Sequence, residues 1–334
     1  MPHHLGSLAD KGPWNEKIVM KSTTIPYILG LLLFSLPLIL IACQGSSETV
    51  REFNVSTPEI SLHGTIAGNQ KSACMLIGIN GWPGLTSSYM LDLQRLAGHE
   101  CAVVTYDQRG LGKSSQPLNP DSPESYSLTN YAIDVEAIRQ ALDVDRVHLF
   151  GHSFGGVVAM QYAVLFPEHV ESMIFFGGGP PTWDQIQASQ MNFLQRVQSL
   201  MEEGVIPPQD QWVGKGIEPL LPAYFSDPAF TFPTDSLGSA PEFNQKVNEL
   251  TYQNLEKLDL RAELRPLQKR VLLMMGRDDP FGLQMAEAIR EALPNSFVEF
   301  ELIDNCGHFW HECPEAFYPM VKKFLKAKKT EGGN

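Results

Sequence analysis

Basic residues and cysteines are scarce in this chain, and each shortage excludes a class of protein. Lys and Arg number 25 against 38 Asp and Glu, which gives a net charge of −13 over 334 residues. Binding to nucleic-acid phosphates needs clustered Lys and Arg, so we expect no nucleic-acid partner. Five cysteines are too few for a disulfide-built scaffold. The chain has no CxxC pair and no HExxH motif, so the sequence predicts neither a metal nor a cofactor.

The remaining composition is that of an ordinary globular protein. Hydrophobic residues make up 43% of the chain and charged residues 19%, which excludes a disordered or fibrous protein. The length allows one large α/β domain or two smaller ones.

One apolar run, residues 25–42, differs from the rest of the chain. Lys17 and Lys21 precede it, and it ends in Leu-Ile-Ala directly before Cys43. A basic start followed by an apolar stretch that ends at small residues is typical of a secretory signal. The segment resembles the lipobox of bacterial lipoproteins, in which the signal is cut before the cysteine and the thiol carries a diacylglyceryl group. The resemblance implies that residues 1–42 are removed and that Cys43 is lipidated.

On this interpretation the protein is a membrane-anchored lipoprotein of the cell envelope, outside the cytoplasm, and residues 43–51 form a tether. The alternative is an uncleaved transmembrane anchor, because 18 apolar residues nearly span a bilayer. Pro26 and Pro37 weaken a continuous helix without forbidding it. The position of Cys43 at the boundary between apolar and polar residues favours the lipoprotein.

From residue 52 onward, strand and helix patterns alternate. The runs 73–80 and 101–106 are short and almost wholly apolar, as in buried parallel strands, and residues 87–97 carry helical spacing. The alternation predicts an α/β fold with a mostly parallel, twisted sheet flanked by helices, formed by residues 52–180 and 266–326. The aromatic-rich segment 181–265 predicts a helical cap, and residues 327–334 form a polar tail.

A Gly-x-Ser-x-Gly motif at residues 151–155 offers Ser153 as a nucleophile. The motif follows a predicted strand that ends at Phe150 and precedes a predicted helix, which is the context that it requires. The glycines fit a turn without room for side chains, and the helix N-terminus favours developing negative charge.

Partners for Ser153 follow in the order acid and then histidine. Asp278 and Asp279 come after a predicted strand that ends at Met275, and His308 comes after the next strand. Open α/β sheets place their sites beyond the carboxyl ends of such strands. A histidine can take the serine proton when a carboxylate orients its other ring nitrogen, and spacing alone leaves both aspartates open for that role.

With these motifs the chain resembles the α/β-hydrolase family over residues 52–326. The Asp-Gln-Arg-Gly run at 107–110 is most similar to proline iminopeptidases, and Asn-Gly-Trp-Pro-Gly at 80–84 stands where they carry His-Gly-Gly-Pro-Gly. The family pattern places the acid three residues after the glycine that closes its strand, which implies Asp279. It also implies that the backbone N–H groups of Trp82 and Phe154 form the oxyanion hole.

The implied function is a serine hydrolase that acts through an acyl-enzyme on a small ester, amide or short peptide. Iminopeptidases bind the free amine of the substrate with cap glutamates, and no cap glutamate here matches a family motif, so aminopeptidase and carboxylesterase both stay open. A slow or non-catalytic ligand-binding protein is the alternative from another class. The cap glutamates considered for this role are Glu202, Glu203, Glu218, Glu242, Glu249 and Glu256.

The four cysteines after Cys43 could form two disulfides in an oxidising compartment. Cys74 and Cys101 each lie six residues before the end of a strand, and the hydrolase fold places these two strands side by side. Cys306 and Cys313 flank His308. For both pairs the alternative is a buried free thiol.

The lipid anchor predicts a simple labelling result. Cys43→Ser should abolish incorporation of labelled palmitate in bacterial cells and leave the precursor uncleaved, because the modified thiol is gone. Cys101→Ser is the control and should still be labelled. Absence of label from the wild-type protein would contradict the anchor.

Overall fold

The structure is a computed structural model, and it describes residues 50–98, 100–213, 215–231 and 243–327. The predicted signal, Cys43, most of the tether, and residues 328–334 lie outside these ranges. Within them, no helix is long and apolar enough to cross a membrane.

An eight-stranded sheet forms the centre of the fold, with strand order β1-β2-β4-β3-β5-β6-β7-β8. Strand β2 pairs antiparallel with both of its neighbours, and every pair from β4 onward in that order is parallel. The predicted mostly parallel sheet is therefore confirmed. The strands are β1 Arg51–Ser56, β2 Ser61–Ala67, β3 Cys74–Ile79, β4 Cys101–Tyr106, β5 Val147–His152, β6 Val170–Phe176, β7 Arg270–Gly276 and β8 Phe297–Ile303.

Helices cover both faces of the sheet, which explains why its central strands are apolar throughout. One hydrophobic cluster includes Leu149 and Phe175, and a second includes their chain neighbours Phe150 and Phe176. Side chains of a strand alternate between faces, so these are two cores on opposite sides of one sheet. The α-helices of the described chain are α1 Leu128–Ala141, α2 Phe154–Leu165, α3 Trp183–Glu202, α4 Leu221–Tyr224, α5 Gln245–Leu255, α6 Arg261–Leu264, α7 Gln284–Ala292 and α8 Pro314–Lys326.

Several element boundaries differ from the sequence prediction. Arg51, placed in the tether, opens β1 and pairs with Ile66 of β2. Strand β5 continues past Phe150 to His152, which pairs with Phe176. The helix predicted near residues 87–97 is a 3₁₀ helix, Ser87–Leu96. Six of its residues are buried, and four of them, at 87, 90, 93 and 96, recur every three positions, which is the period of a 3₁₀ helix.

The segment 181–265 contributes α3, α4, α5 and α6 between β6 and β7. One isolated bridge, Leu85 with Phe243, joins this segment to the rest of the chain, and another, Thr182 with Asp259, joins two parts of the segment itself. This segment, called the cap below, therefore connects β6 to β7, which are neighbours in the sheet.

Both cysteine pairs are disulfide-bonded. Cys74 and Cys101 are directly paired in the register of β3 and β4, with Cα atoms 4.4 Å apart. The equal offsets of these cysteines from their strand ends therefore predicted the correct pair. Cys306 and Cys313, with Cα atoms 5.7 Å apart, close a short loop that contains His308.

The two disulfides should differ in their contribution to stability. The double variant Cys74→Ala/Cys101→Ala opens a loop of 27 residues and should lower the free energy of unfolding by about 3–4 kcal/mol. Cys306→Ala/Cys313→Ala opens a loop of seven and should cost about 2 kcal/mol. Urea denaturation of each variant measures both values. Rapid alkylation of all four thiols in the native, unreduced protein would contradict the bonds themselves.

Candidate active site

Ser153 occupies a strained turn between β5 and α2. Its φ is 51°, a left-handed value that residues with a side chain seldom adopt. A Cβ on Gly155 would overlap the carbonyl oxygen of Ile79 at the end of β3, so only glycine fits where α2 meets the sheet. The turn leaves Ser153 at the N-terminus of α2 and on the wall of a cavity. Strain of this kind is typical of a functional position.

His308 lies against Asp279 rather than Asp278. The His308 Nδ1 atom is 2.7 Å from Oδ2 of Asp279, and both side chains are buried. The other oxygen of Asp279 accepts a hydrogen bond from the backbone N–H of Phe281 at 3.0 Å. Asp278 is exposed and accepts a hydrogen bond from the Ser226 hydroxyl at 2.7 Å. The geometry thus assigns the carboxylate that orients His308.

Gly177, the first residue after β6, makes room for this pair. Its φ is +52°, and a Cβ there would lie 2.8 Å from His308 Nδ1 and 3.0 Å from Asp279 Oδ2. The sequence motifs assign no role to Gly177. Gly177 could have been identified as a residue of the site from its position at the carboxyl end of β6, which lies between β5 and β7 in the sheet.

The second ring nitrogen of His308 is available for proton transfer. Ser153 and His308 line the same cavity, and Nε2 of His308 is buried with no hydrogen-bond partner in the described part of the chain. The structure records no hydrogen bond between Nε2 and the Ser153 hydroxyl. Such bonds are often long in a ligand-free site and shorten when substrate binds.

Trp82 and Phe154 both line the cavity, so their backbone N–H groups are candidates for the oxyanion hole. Phe154 is the first residue of α2, so its N–H has no partner within the helix. Trp82 has a left-handed φ of 43°, and its carbonyl accepts a hydrogen bond from Leu85 N. The neighbouring N–H of Gly81 is bonded to the Tyr89 hydroxyl at 2.6 Å and is not free. Among the residues that the structure describes, no acceptor is bonded to the N–H of Trp82 or Phe154.

The loop around His308 is held from several sides. The His308 N–H donates to the carbonyl of Tyr224 at 2.7 Å. The Glu312 carboxylate accepts from the backbone N–H groups of Gly307, Ser226 and Asp227 at 2.8, 3.0 and 3.1 Å. Burial raises the pKa of Glu312 in spite of these three bonds. Glu312 therefore connects the histidine loop to the cap, a role that its place in the sequence did not show.

The cavity of about 370 Å³ lies between the sheet and the cap, and its wall is mainly apolar. No Asp, Glu, Lys or Arg of the described chain lines it. The six described glutamates of the segment 181–265, Glu263 included, are exposed and outside the lining, and Glu242 lies outside the described residues. Cap side chains in the wall are Ile186, Ser189, Gln190, Phe193, Leu194, Leu220, Tyr224, Asn248, Tyr252 and Leu255.

Comparison with known proteins identifies a family. A family profile described as "alpha/beta hydrolase fold" matches residues 75–312. A proline iminopeptidase of Heyndrickxia coagulans is 35% identical over 276 residues, which covers 75% of this chain and 90% of that protein. A proline iminopeptidase of Lactobacillus crispatus (strain ST1) is 26% identical over 275 residues, covering 78% and 92% of the two chains.

Solved structures show the same fold. The proline iminopeptidase of Mycobacterium smegmatis aligns with a TM-score of 0.64 at 20% identity, covering 81% of this chain and 96% of that one. The esterase EaEST of Exiguobacterium antarcticum aligns with a TM-score of 0.60 at 19% identity, covering 82% and 99%.

The roles of Asp278 and Asp279 can be distinguished by the rate at which a variant of each is labelled on Ser153. Asp279→Asn should slow the reaction of Ser153 with a fluorophosphonate by about 10³- to 10⁴-fold, because His308 loses the carboxylate that orients it. Asp278→Asn, which removes the matched neighbouring carboxylate, should react at close to the wild-type rate. The opposite ranking of the two variants would overturn the assignment of the acid.

Proposed function

The chain belongs to the α/β-hydrolase family, and we propose that it is a serine hydrolase that forms an acyl-enzyme on Ser153. That it is a hydrolase follows from the family and from its relatives. The assignment of the nucleophile is supported by the strained turn at Ser153 and by the buried pair of His308 and Asp279 on the same cavity.

In the proposed mechanism the Ser153 oxygen attacks the substrate carbonyl carbon while Nε2 of His308 takes up the serine proton. Asp279 stabilises the resulting imidazolium through Nδ1. The N–H groups of Trp82 and Phe154 donate to the oxyanion. The tetrahedral intermediate then collapses, and His308 protonates the departing alcohol or amine. Water attacks the acyl-enzyme by the same route and releases the acid and Ser153.

Our proposal for the class of substrate rests on the described cavity wall, which contains no charged side chain. An aminopeptidase must hold the ammonium group of its substrate close to the bond that it cleaves. Burying an ammonium group without a counter-charge costs several kcal/mol. We therefore infer that the substrate is uncharged near the scissile bond, which favours a carboxylesterase with an apolar acyl group.

Two uncharged cap side chains, Tyr252 and Asn248, offer hydrogen bonds to such a substrate. The amide of Gln190 donates to the Tyr252 hydroxyl at 2.9 Å, and Asn248 accepts from the indole N–H of Trp82 at 2.9 Å. These bonds leave the hydroxyl hydrogen of Tyr252 and the amide hydrogens of Asn248 for a carbonyl or hydroxyl oxygen of the substrate. A second, uncharged polar group on the substrate fits this arrangement.

A proline iminopeptidase is the second candidate function. The observation that favours it is the 35% identity to the Heyndrickxia coagulans enzyme over most of both chains. This function needs a carboxylate close to Ser153, and Glu242 is the cap glutamate that lies outside the described residues.

We also propose that the enzyme works outside the cytoplasm, held to the membrane by a lipid on Cys43. The support is the order of basic residues, apolar run and Leu-Ile-Ala-Cys in the sequence. An uncleaved transmembrane anchor is the alternative, and the labelling of Cys43 distinguishes the two.

A pair of matched substrates tests the proposed specificity. N-acetylproline benzyl ester and proline benzyl ester differ in one charge, and we expect kcat/KM to be at least about tenfold higher for the acetylated ester, because the apolar wall excludes the ammonium group. Gln190→Glu places a carboxylate in the wall and should reverse or reduce that preference. Ser153→Ala should hydrolyse neither ester. A wild-type preference for the free amine would favour the iminopeptidase instead.

A further inference from the structure

Tyr89 and His152 connect the turn that carries Trp82 to the loop that carries His308. Both side chains are completely enclosed in the protein. The Tyr89 hydroxyl lies 2.6 Å from the backbone nitrogen of Gly81 and 2.8 Å from Nδ1 of His152. The other ring nitrogen of His152, Nε2, lies 2.9 Å from the carbonyl oxygen of His308. Three hydrogen bonds therefore run from Gly81 to His308 through two side chains.

The direction of each hydrogen bond follows from the chemistry of its partners. A carbonyl oxygen only accepts, so Nε2 of His152 carries a proton. Burial, followed by the neighbouring His308 and His311, holds the pKa of His152 well below its ordinary value, and the ring is neutral. Its Nδ1 then accepts from the Tyr89 hydroxyl, whose oxygen accepts from Gly81 N–H. All three donors point toward His308, an arrangement in which hydrogen bonds strengthen one another.

We propose that Tyr89 and His152 are positioning residues, which together fix the distance between the oxyanion donor at Trp82 and the base at His308. Gly81 directly precedes Trp82 in the chain, and the carbonyl that His152 binds belongs to His308 itself. Both functional groups must meet one carbonyl group of the substrate, where an error of about 1 Å costs about 100-fold in rate. The inference rests on the proposed mechanism at Ser153.

The surroundings of His152 suit this role. Its ring lies 4.9 Å from the ring of His308, and the rings of Phe176, Phe309 and Trp310 are within 6.5 Å of it. A neutral ring in this place leaves the imidazolium of His308, which forms in the transition state, without a second positive charge beside it. Tyr89 and His152 are 0% and 1% exposed, so their hydrogen bonds form in surroundings that bulk water does not reach.

Removal of one oxygen atom tests the proposal. Tyr89→Phe should lower kcat for the best ester about 10- to 100-fold while KM changes less than about twofold, because positioning acts on the transition state more than on substrate binding. A boronic acid that forms a tetrahedral adduct with Ser153 should lose affinity by the same factor as kcat/KM. If Tyr89 had a purely structural role, the folded Tyr89→Phe variant would keep the wild-type kcat and the wild-type affinity for the boronic acid.

Tyr162→Phe is the matched control. Tyr162 is also fully buried, and its hydroxyl donates to Glu136 at 2.8 Å. It lies eight residues after Phe154 along α2, about 12 Å from the site. We expect this variant to lose stability in thermal unfolding and to keep the wild-type kcat.

A second pair of variants changes His152 itself. His152→Gln keeps an amide donor for the His308 carbonyl and should retain more kcat than His152→Leu.

The outcomes are distinct from those that test the proposed function. Turnover by Ser153→Ala would overturn the nucleophile, whatever Tyr89→Phe does. With Ser153 established, a wild-type kcat in folded Tyr89→Phe would overturn the positioning role, as would an equal loss of kcat in Tyr162→Phe. If Tyr89→Phe does not fold, equal kcat in His152→Gln and His152→Leu would overturn it.

Discussion

The site depends on how closely helix α2 approaches the carboxyl end of strand β3. Gly155 allows this approach, because any side chain there would meet the carbonyl of Ile79. The same contact brings the first N–H of α2, at Phe154, close to the turn that follows β3 and carries Trp82. The proposed nucleophile and oxyanion donors therefore lie around one backbone contact, and Ser153, beside it, has a left-handed φ.

The parts of the site that depend on the ends of strands could be predicted from the sequence. Ser153, Asp279 and His308 each follow a short apolar run, and parallel strands bring their carboxyl ends to one edge of the sheet. The Cys74–Cys101 pair followed from the same reasoning at the opposite edge. The order of strands and the distance of each residue from a strand end were enough for Ser153, His308 and the cysteine pair, whereas the choice of Asp279 over Asp278 came from the resemblance to the family.

The parts that depend on packing between distant segments could not be predicted. Tyr89 lies in the segment 87–97, for which the sequence predicts only a helix, and the structure shows its hydroxyl bonded to Gly81 and His152. Gly177 matters because of two side chains more than a hundred residues later in the chain. The uncharged cavity wall likewise follows from which faces of α3 and α5 turn inward, and composition says little about that.

The hydrogen bonds of Glu312 have a consequence for how the cavity exchanges its contents. Because this carboxylate and the Tyr224 carbonyl join the cap to the histidine loop, movement of the cap as a whole would draw His308 away from Ser153. Leu194 of α3 lines the cavity and is 54% exposed, so the cavity wall reaches the protein surface at this side chain. A movement confined to Leu194 would leave the contact between His308 and Asp279 unchanged.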